Sequence, residues 1–430
     1  MEHGRRQLNR KLSGKLLKSQ NDFHALTNRF KGFSGGVGSG KSLVLCHEAV
    51  YLAFENPGTT GLIGAPTYGM LRDATMAMFL DICASRGMPM ELNQSRMTIR
   101  FPEKDSTVIF RSMENPERLR GSNLAWFGVD ELSYCREEAW TRLEARLRDP
   151  KATRLCGFGV WTPKGFDWLH RRFRESPVEG YGLVEAEPFE NRFLPSDYYE
   201  RLKVSYDPRF YEQEVLGKYL NTQVGRVYHA FDRRQNVEPC SLEHQETLLW
   251  SLDFNVNPMC SVIGVRRGDV IHIVDEIVQH TSSTPEVCEE LVARYGRRRG
   301  AVRIYGDASG RQRHSASAYS DHQVIRKFFA EERGLKAKLI AARSNPPVRD
   351  RVNLVNSRLE AADGRRRLLI DPKCKELIKD LEQVSYKPDR GVIDKDRDPE
   401  RTHLSDALGY LLWQEIGSPA QAGERSRPLF

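Results

Sequence analysis

Residues 35–42 read GGVGSGKS, a complete match to G-x-x-x-x-G-K-S. This loop constrains fold and chemistry together. Its glycines let successive backbone N–H groups turn inward and cradle phosphates. The cradle works where a strand runs into the loop and a helix leaves it, because the helix N-terminus then adds its positive end. The flanks fit: Arg29–Phe33 reads as the entering strand, although it is more polar than a buried strand should be, and Ser42–Ala53 reads as the helix. Gly35, Gly36, Val37, Gly38, Ser39 and Gly40 then supply the backbone of a nucleotide site. Lys41 reaches the β- and γ-phosphates, and the Ser42 hydroxyl ligates Mg²⁺. The expected ligand is ATP with Mg²⁺.

The other half of such a site is an acidic strand end, and LAWFGVDELS (124–133) provides one. An apolar strand delivers Asp130 and Glu131 at its C-terminal end, where open α/β sheets bind ligands. Asp130 is expected to hold Mg²⁺ and Glu131 to polarise the attacking water. Arg120 lies just ahead of this strand and is a candidate to stabilise charge on the γ-phosphoryl group; a plain solvated arginine is the alternative. Gln20, upstream of the first strand, is a candidate to read adenine.

Around these motifs the first half alternates strands and helices, which predicts a mostly parallel sheet. Strands are expected at Thr60–Ala65, Leu124–Val129 and Arg154–Val160, with a hairpin at 97–110. Helices are expected at Tyr68–Ser85 and Arg136–Arg148. Residues 222–245 are polar with Gly and Pro and read as a connection. Strands follow at Leu248–Phe254, Cys260–Arg266 and Val270–Ile277. A helix then starts with Thr284 as N-cap and Pro285 in its first turn, and ends near Gly296. A strand at Ala301–Gly306 and a late helix at Leu404–Glu415 complete the pattern. The expected organisation is an ATPase domain (1–221), a linker (222–245), a second domain (246–416) and a disordered tail (417–430).

The second domain carries three aspartates at telling places. Asp253 ends the first strand, Asp307 ends the fourth, and Asp406 opens the late helix. Any one alone is most simply a cap or turn residue. Together, on this strand order, they are laid out as in a ribonuclease H-like nuclease, where carboxylates converge on two divalent cations, Mg²⁺ or Mn²⁺. His403 and Asp275 lie on nearby elements without an assigned role.

Composition narrows the setting. At 430 residues the chain is long enough for two or three domains. No apolar run reaches the roughly 18 residues of a membrane span. The basic N-terminus lacks the apolar core of a secretory signal. Eight cysteines without a C-x-x-C pair fit reduced thiols rather than structural zinc. A net charge of +8 permits, without requiring, a polyanionic partner.

Taken together, GGVGSGKS, the APTY segment, LRGSNLAWFGVDE, Thr162-Pro163 and the acids of LDFN, YGDASG and HLSDALGY resemble the large terminase subunit of tailed bacteriophages. The resemblance covers nearly the whole chain. It implies a motor that drives double-stranded DNA into a procapsid by ATP hydrolysis, and a metal-dependent endonuclease that cuts concatemeric DNA. Asp130 and Glu131 become the acidic pair of the motor, Thr162 the residue coupling hydrolysis to DNA movement, and Arg120 an arginine supplied to a neighbouring subunit's ATP. Asp253, Asp307 and Asp406 become the nuclease ligands. The implied partners are DNA, a portal protein, a small terminase subunit and further copies in a ring, a pentamer by resemblance, in the host cytoplasm. A cellular helicase-nuclease is the alternative, and would need a second motor core that the sequence does not display.

Overall fold

The computed structural model describes residues 16–115, 117, 121, 123–175, 177–220, 225–254, 257–312, 319–331, 336–340, 344–387, 392–396, 398 and 400–417. The chain divides into two compact units, one of Met1–Tyr199 with Glu212–Thr222, the other of Glu200–Tyr211 with Gln223–Phe430.

The first unit is built on an eight-stranded sheet: β1 (Phe30–Ser34), β2 (Thr60–Ala65), β3 (Glu91–Asn93), β4 (Thr98–Phe101), β5 (Ser106–Ser112), β6 (Trp126–Val129), β7 (Cys156–Trp161) and β8 (Tyr181–Glu185). Their order is β3-β4-β5-β2-β6-β7-β1-β8. Only the β3/β4 and β4/β5 pairs are antiparallel, so the expected hairpin caps one edge of a parallel sheet. The central strands are covered on both faces, and β6 and β7 are buried at every position. That is why they read as uninterrupted apolar runs rather than alternations. Helix α1 (Lys18–Ala25) precedes β1, and α2 (Lys41–Glu55) follows the glycine loop. The segment expected as one helix from Tyr68 is broken by a π-helical turn at Leu71–Met76 before α3 (Ala77–Ser85). Helix α4 occupies Glu137–Glu144, shorter than expected.

The polarity of β1 has a physical cause. Lys31 is fully buried, and its Nζ lies 2.7 Å from Oε1 of Glu48 on α2. The other Glu48 oxygen lies 2.6 Å from Nδ1 of His24 on α1. Lys31 also stacks on the Phe23 ring at 4.4 Å. Strand, loop helix and leading helix are thus tied at one carboxylate. Burial alone would push the Glu48 pKa up, but Lys31 and His24 outweigh it and hold it at about 2.

The second unit holds a six-stranded sheet of β9 (Leu248–Asp253), β10 (Met259–Arg267), β11 (Val270–Gln279), β12 (Val302–Gly306), β13 (Ala337–Leu339) and β14 (Leu368–Ile370). The order is β13-β12-β9-β10-β11-β14, with β9, β10 and β11 antiparallel and the outer pairs parallel. Helices α5 (Thr284–Tyr295), α6 (Asp321–Glu331), α7 (Val348–Leu359), α8 (Lys375–Gln383) and α9 (His403–Ile416) accompany it. The N-cap of α5 is Ser283 rather than Thr284, closing a capping box with Glu286. The stretch expected as a linker is part of this unit's core from Gly225 onward: Val227, Tyr228 and Phe231 are buried among Val355, Leu377 and Leu408. Its Gly, Pro and charged residues masked these apolar anchors. Residues 221–224 and the tail beyond Gly417 lie outside the described residues. No helix among the described residues is long and apolar enough to cross a membrane, and all eight cysteines are free.

The buried Lys31–Glu48 pair yields a test. Glu48→Gln leaves an ammonium buried without its carboxylate, which costs on the order of 3–5 kcal/mol. The double change Lys31→Met, Glu48→Leu should recover most of that loss in thermal denaturation. Because the folded-state pKa is depressed, Glu48 stabilises the fold above pH 4.5 and this contribution is lost as pH falls toward about 2. Acid denaturation of the double variant should lack that part of the slope.

Candidate active sites

The ends of β1, β7 and β6 lie side by side because the strands are parallel and in register: Ser34 pairs with Trp161, and Val129 with Gly159. Each strand therefore releases its functional residues at one edge of the sheet. β1 gives the glycine loop, β7 gives Thr162, and β6 gives Asp130 and Glu131. The loop keeps its shape through glycine at two critical places. Gly40 has φ of 77°, and a Cβ on Gly36 would sit 2.1 Å from the Val215 carbonyl oxygen. The Glu214 carbonyl accepts from the Val37 N–H at 2.5 Å, clasping the loop from outside.

Lys41 Nζ donates to the carbonyls of Gly36 and Gly35 at 3.0 and 3.3 Å, folded back along the cradle its ligand would fill. The Ser42 hydroxyl donates to Asp130 Oδ1 at 3.2 Å. The Glu131 N–H donates to the same oxygen at 3.0 Å. Thr75, which the sequence did not single out, donates to Asp130 Oδ2 at 2.9 Å from within the π-helical turn. That turn supplies the aim, as π turns commonly do at functional positions. Glu131 stands in the left-handed region at φ 46°, a strained conformation for a non-glycine residue. Burial is the main influence raising the pKa of both Asp130 and Glu131; Thr75, Ser42 and Lys41 oppose it at Asp130, and Lys41 at Glu131. A cavity of about 590 Å³ opens here, lined by Lys41, Ser42, Glu131, Tyr134, Thr162 and Glu214 among others. Its donor set, a hydroxyl beside a carboxylate, is hard oxygen of the kind Mg²⁺ takes.

Two expected members stand differently. Gln20 does not face the cavity. It is buried, its Oε1 accepts from the Leu17 N–H at 3.0 Å and its Nε2 donates to the Gly40 carbonyl at 3.1 Å. The α1 capping arrangement turns its amide onto the Gly40 carbonyl, so it braces the cradle. Arg120 lies outside the described residues.

In the second unit, β9 and β12 run parallel with Leu252 opposite Gly306, so Asp253 and Asp307 leave neighbouring strand ends together. Helix α9 brings His403 and Asp406, one turn apart, to the same place. His403 Nδ1 lies 3.0 Å from Asp253 Oδ2. Asp307 accepts from Ser309 Oγ at 2.7 Å through Oδ2, while its buried Oδ1 has no hydrogen-bond partner. Burial first, and the charge of Asp253 next among the raising influences, lift the Asp307 pKa. Asp406 is held by cations instead: Arg351 at 2.6 Å and Lys395 at 3.1 Å. Among the described residues no group of three His, Cys, Asp or Glu is gathered closely enough to hold a metal ion. The expected triad is therefore a carboxylate pair with an orphaned oxygen suited to a hard cation, and a third carboxylate under cationic cover. Asp275 pairs with Tyr295 and Arg294, away from this cluster's hydrogen bonds. The basic run Arg365–Arg367 is spent on Asp363, Glu360 and Asp269.

A phosphate-binding loop with its acidic strand end, followed by a carboxylate-bearing mixed sheet, defines a P-loop ATPase joined to a ribonuclease H-like nuclease. Comparison with known families agrees. Residues 33–235 match the family described as terminase large subunit, T4-like-virus type, N-terminal, and residues 251–415 match the terminase RNaseH-like domain. The chain belongs to the large terminase subunit family. Among solved structures, the large terminase of a thermophilic bacteriophage aligns over 92% of this chain and 98% of its own, with a TM-score of 0.67 at 18% identity. The same protein in complex with ATP-γ-S aligns over 93% and 98%, with a TM-score of 0.65 at 18% identity. At that identity the likeness speaks for the fold. No curated protein matches the chain.

The π-turn contact is directly testable. Thr75→Val removes the hydroxyl that satisfies Asp130 Oδ2 and leaves a buried carboxylate oxygen without a partner. Such supporting contacts typically carry about 10–100-fold in metal-dependent binding. Mg²⁺-dependent ATP affinity, measured by titration calorimetry, should weaken by about that factor, while Thr75→Ser should stay near wild type.

Proposed function

We propose that the first unit hydrolyses ATP to drive double-stranded DNA into a viral procapsid, and that the second cuts the DNA at initiation and termination of packaging. The observation that carries the motor reading is the Ser42–Asp130 hydrogen bond beside Lys41 and Glu131 at one sheet edge. Lys41 would leave the loop carbonyls for the β- and γ-phosphates. Ser42 and Asp130 would hold Mg²⁺, and Glu131, its pKa raised by burial, would take the proton of the attacking water. Thr162, placed between the loop and the acidic pair by β7, is suited to couple hydrolysis to DNA movement. The ATP-γ-S complex of the thermophilic phage's large terminase supports ATP as the nucleotide.

In the second unit, Asp253 and Asp307 would be the first ligands of a two-cation site. Asp406 would join them by exchanging Lys395, whose side chain is 57% exposed, for metal. Bound Mg²⁺ or Mn²⁺ would supply an activated water and stabilise the leaving oxygen of the phosphodiester. His403 would hold Asp253 in place. Family membership supports double-stranded DNA as the substrate, a portal protein and a small terminase subunit as partners, a homo-oligomeric and pentameric ring as the working assembly, and the host cytoplasm as its place. Arg120 is the candidate for a contact across that ring. The proposed domain limits are an ATPase of 1–221, of which Glu200–Tyr211 group with the second unit, and a nuclease of 246–416, with residues 225–245 packed onto the latter.

The two chemistries separate by mutation. Lys41→Ala should abolish ATP turnover and leave Mn²⁺-dependent plasmid cleavage largely intact. Asp253→Ala, Asp307→Ala and Asp406→Ala should each eliminate cleavage while ATP turnover persists. Normal turnover by Lys41→Ala would remove the loop as the working site. Full cleavage by Asp253→Ala or Asp307→Ala would remove the nuclease assignment.

A further inference from the structure

We propose that Lys164 is a second cation of the nucleotide site, supplied by the same chain and placed to contact the γ-phosphoryl oxygens as charge builds on them. It rests on the reading of the first unit as an ATP hydrolase.

The charges around the cavity state the need. Asp130, Glu131 and Glu214 are acidic, and Lys41 is the one basic residue among the described residues lining the cavity. A nucleoside triphosphate with its divalent ion adds further negative charge. A positioned cation at the γ-phosphoryl group is a recurrent requirement of this reaction and contributes about 10³–10⁵ in turnover when it is an arginine. No arginine lines the cavity among the described residues; Arg120, the candidate from a neighbouring subunit, lies outside them, and a cation of the same chain would act beside it.

Lys164 does not itself line the cavity but lies against two residues that do, Thr162 in the chain and Tyr134 in space. It follows Thr162 by two residues on the segment leaving β7, the strand that separates the phosphate loop from the acidic pair. This is the γ-phosphate end of the site, since Lys41 and the catalytic acid flank it there. The Lys164 ammonium rests on the ring of Tyr134, which lines the cavity. Tyr134 closes the short 3₁₀ turn that begins at Glu131, with its N–H donating to the Glu131 carbonyl at 3.0 Å. The lysine is therefore docked on the same turn that carries the water-polarising carboxylate. Lys164 is half-buried, and its flexible stem can move the ammonium from the ring face toward an incoming phosphate. In hydrolysis the water oxygen bonds to the γ-phosphorus and gives its proton to Glu131, while the bond from the γ-phosphorus to the bridging oxygen breaks and that oxygen leaves on ADP. The charge then gathered on the phosphoryl oxygens is what the ammonium would meet. The contact would strengthen in the transition state, so it should appear in kcat rather than in ground-state affinity.

The test is steady-state ATP hydrolysis by the full chain without DNA, alongside ADP affinity by titration. Wild-type turnover together with an inactive Lys41→Ala variant establishes the site itself; an active Lys41→Ala would fail the ATPase reading rather than this assignment. Given an intact site, Lys164→Met should lower kcat by about 100-fold or more, by analogy with a lost γ-phosphoryl cation. ADP affinity should change by less than about threefold, since ADP lacks the group contacted. Lys164→Arg should restore part of the rate, which a purely structural role for the lysine stem would not require. Lys164→Gln, closer in polarity, should fall with Met. Wild-type kcat in both Lys164→Met and Lys164→Gln would overturn the proposal, as would a loss of ADP affinity as large as the loss of kcat.

Discussion

A buried ammonium and a buried carboxylate hold the nucleotide site in place. Lys31 on β1 and Glu48 on α2 meet at 2.7 Å with essentially no exposure, and His24 of α1 completes the contact. Strand and helix are the two arms of the phosphate loop, so the pair fixes the angle at which the loop is held. Apolar packing could hold them as firmly, because a buried ion pair is often no more stabilising than a hydrophobic pair of equal volume. What the ions add is a definite geometry. Gln20 works to the same end from α1, with its amide donating to the Gly40 carbonyl.

The two sites apply one device to different sheets. Parallel neighbours in register end together, and whatever follows them is gathered at one edge. In the first unit three strands deliver a loop, a hydroxyl and two carboxylates. In the second, two strands deliver Asp253 and Asp307, and a helix adds His403 and Asp406. The difference lies in how charge is managed. The carboxylate of Asp130 is satisfied by hydroxyls and a backbone N–H, which a cation can join without displacing a positive group. Asp406 is satisfied by Arg351 and Lys395, which a cation must outcompete.

Much of this was legible in the residues, and the failures have causes. β2 was readable to the residue because it is apolar and bounded by turn-formers; Lys41, Ser42 and Asp130 could be singled out because a glycine loop opening a helix and an acidic strand end are local patterns, and the fold brings Ser42 within 3.2 Å of Asp130. β1 read as too polar because a sequence does not show that Lys31 has a partner 17 residues away. Thr75 was missed because its aim depends on a π turn, which no residue pattern signals. Val227, Tyr228 and Phe231 were hidden among charged and turn-forming neighbours. The cationic cover on Asp406 comes from Arg351 and Lys395, remote in sequence from one another, so spacing could not reveal it. The place of Gln20 in the chain does not show that its amide also holds the Gly40 carbonyl, which the capping geometry of α1 decides.

The proposed chemistry requires two separate hard-cation sites on one chain, one at Ser42 and Asp130, the other at Asp253 and Asp307. The most direct measurement is an anomalous difference map from crystals of the protein grown with ADP and Mn²⁺. A Mn²⁺ peak is expected within coordination distance, about 2.0–2.3 Å, of Ser42 Oγ or of a water held by Asp130, and a second peak between Asp253 and Asp307. Anomalous density at the nucleotide alone, with Asp253 and Asp307 free of metal at saturating Mn²⁺, would contradict it.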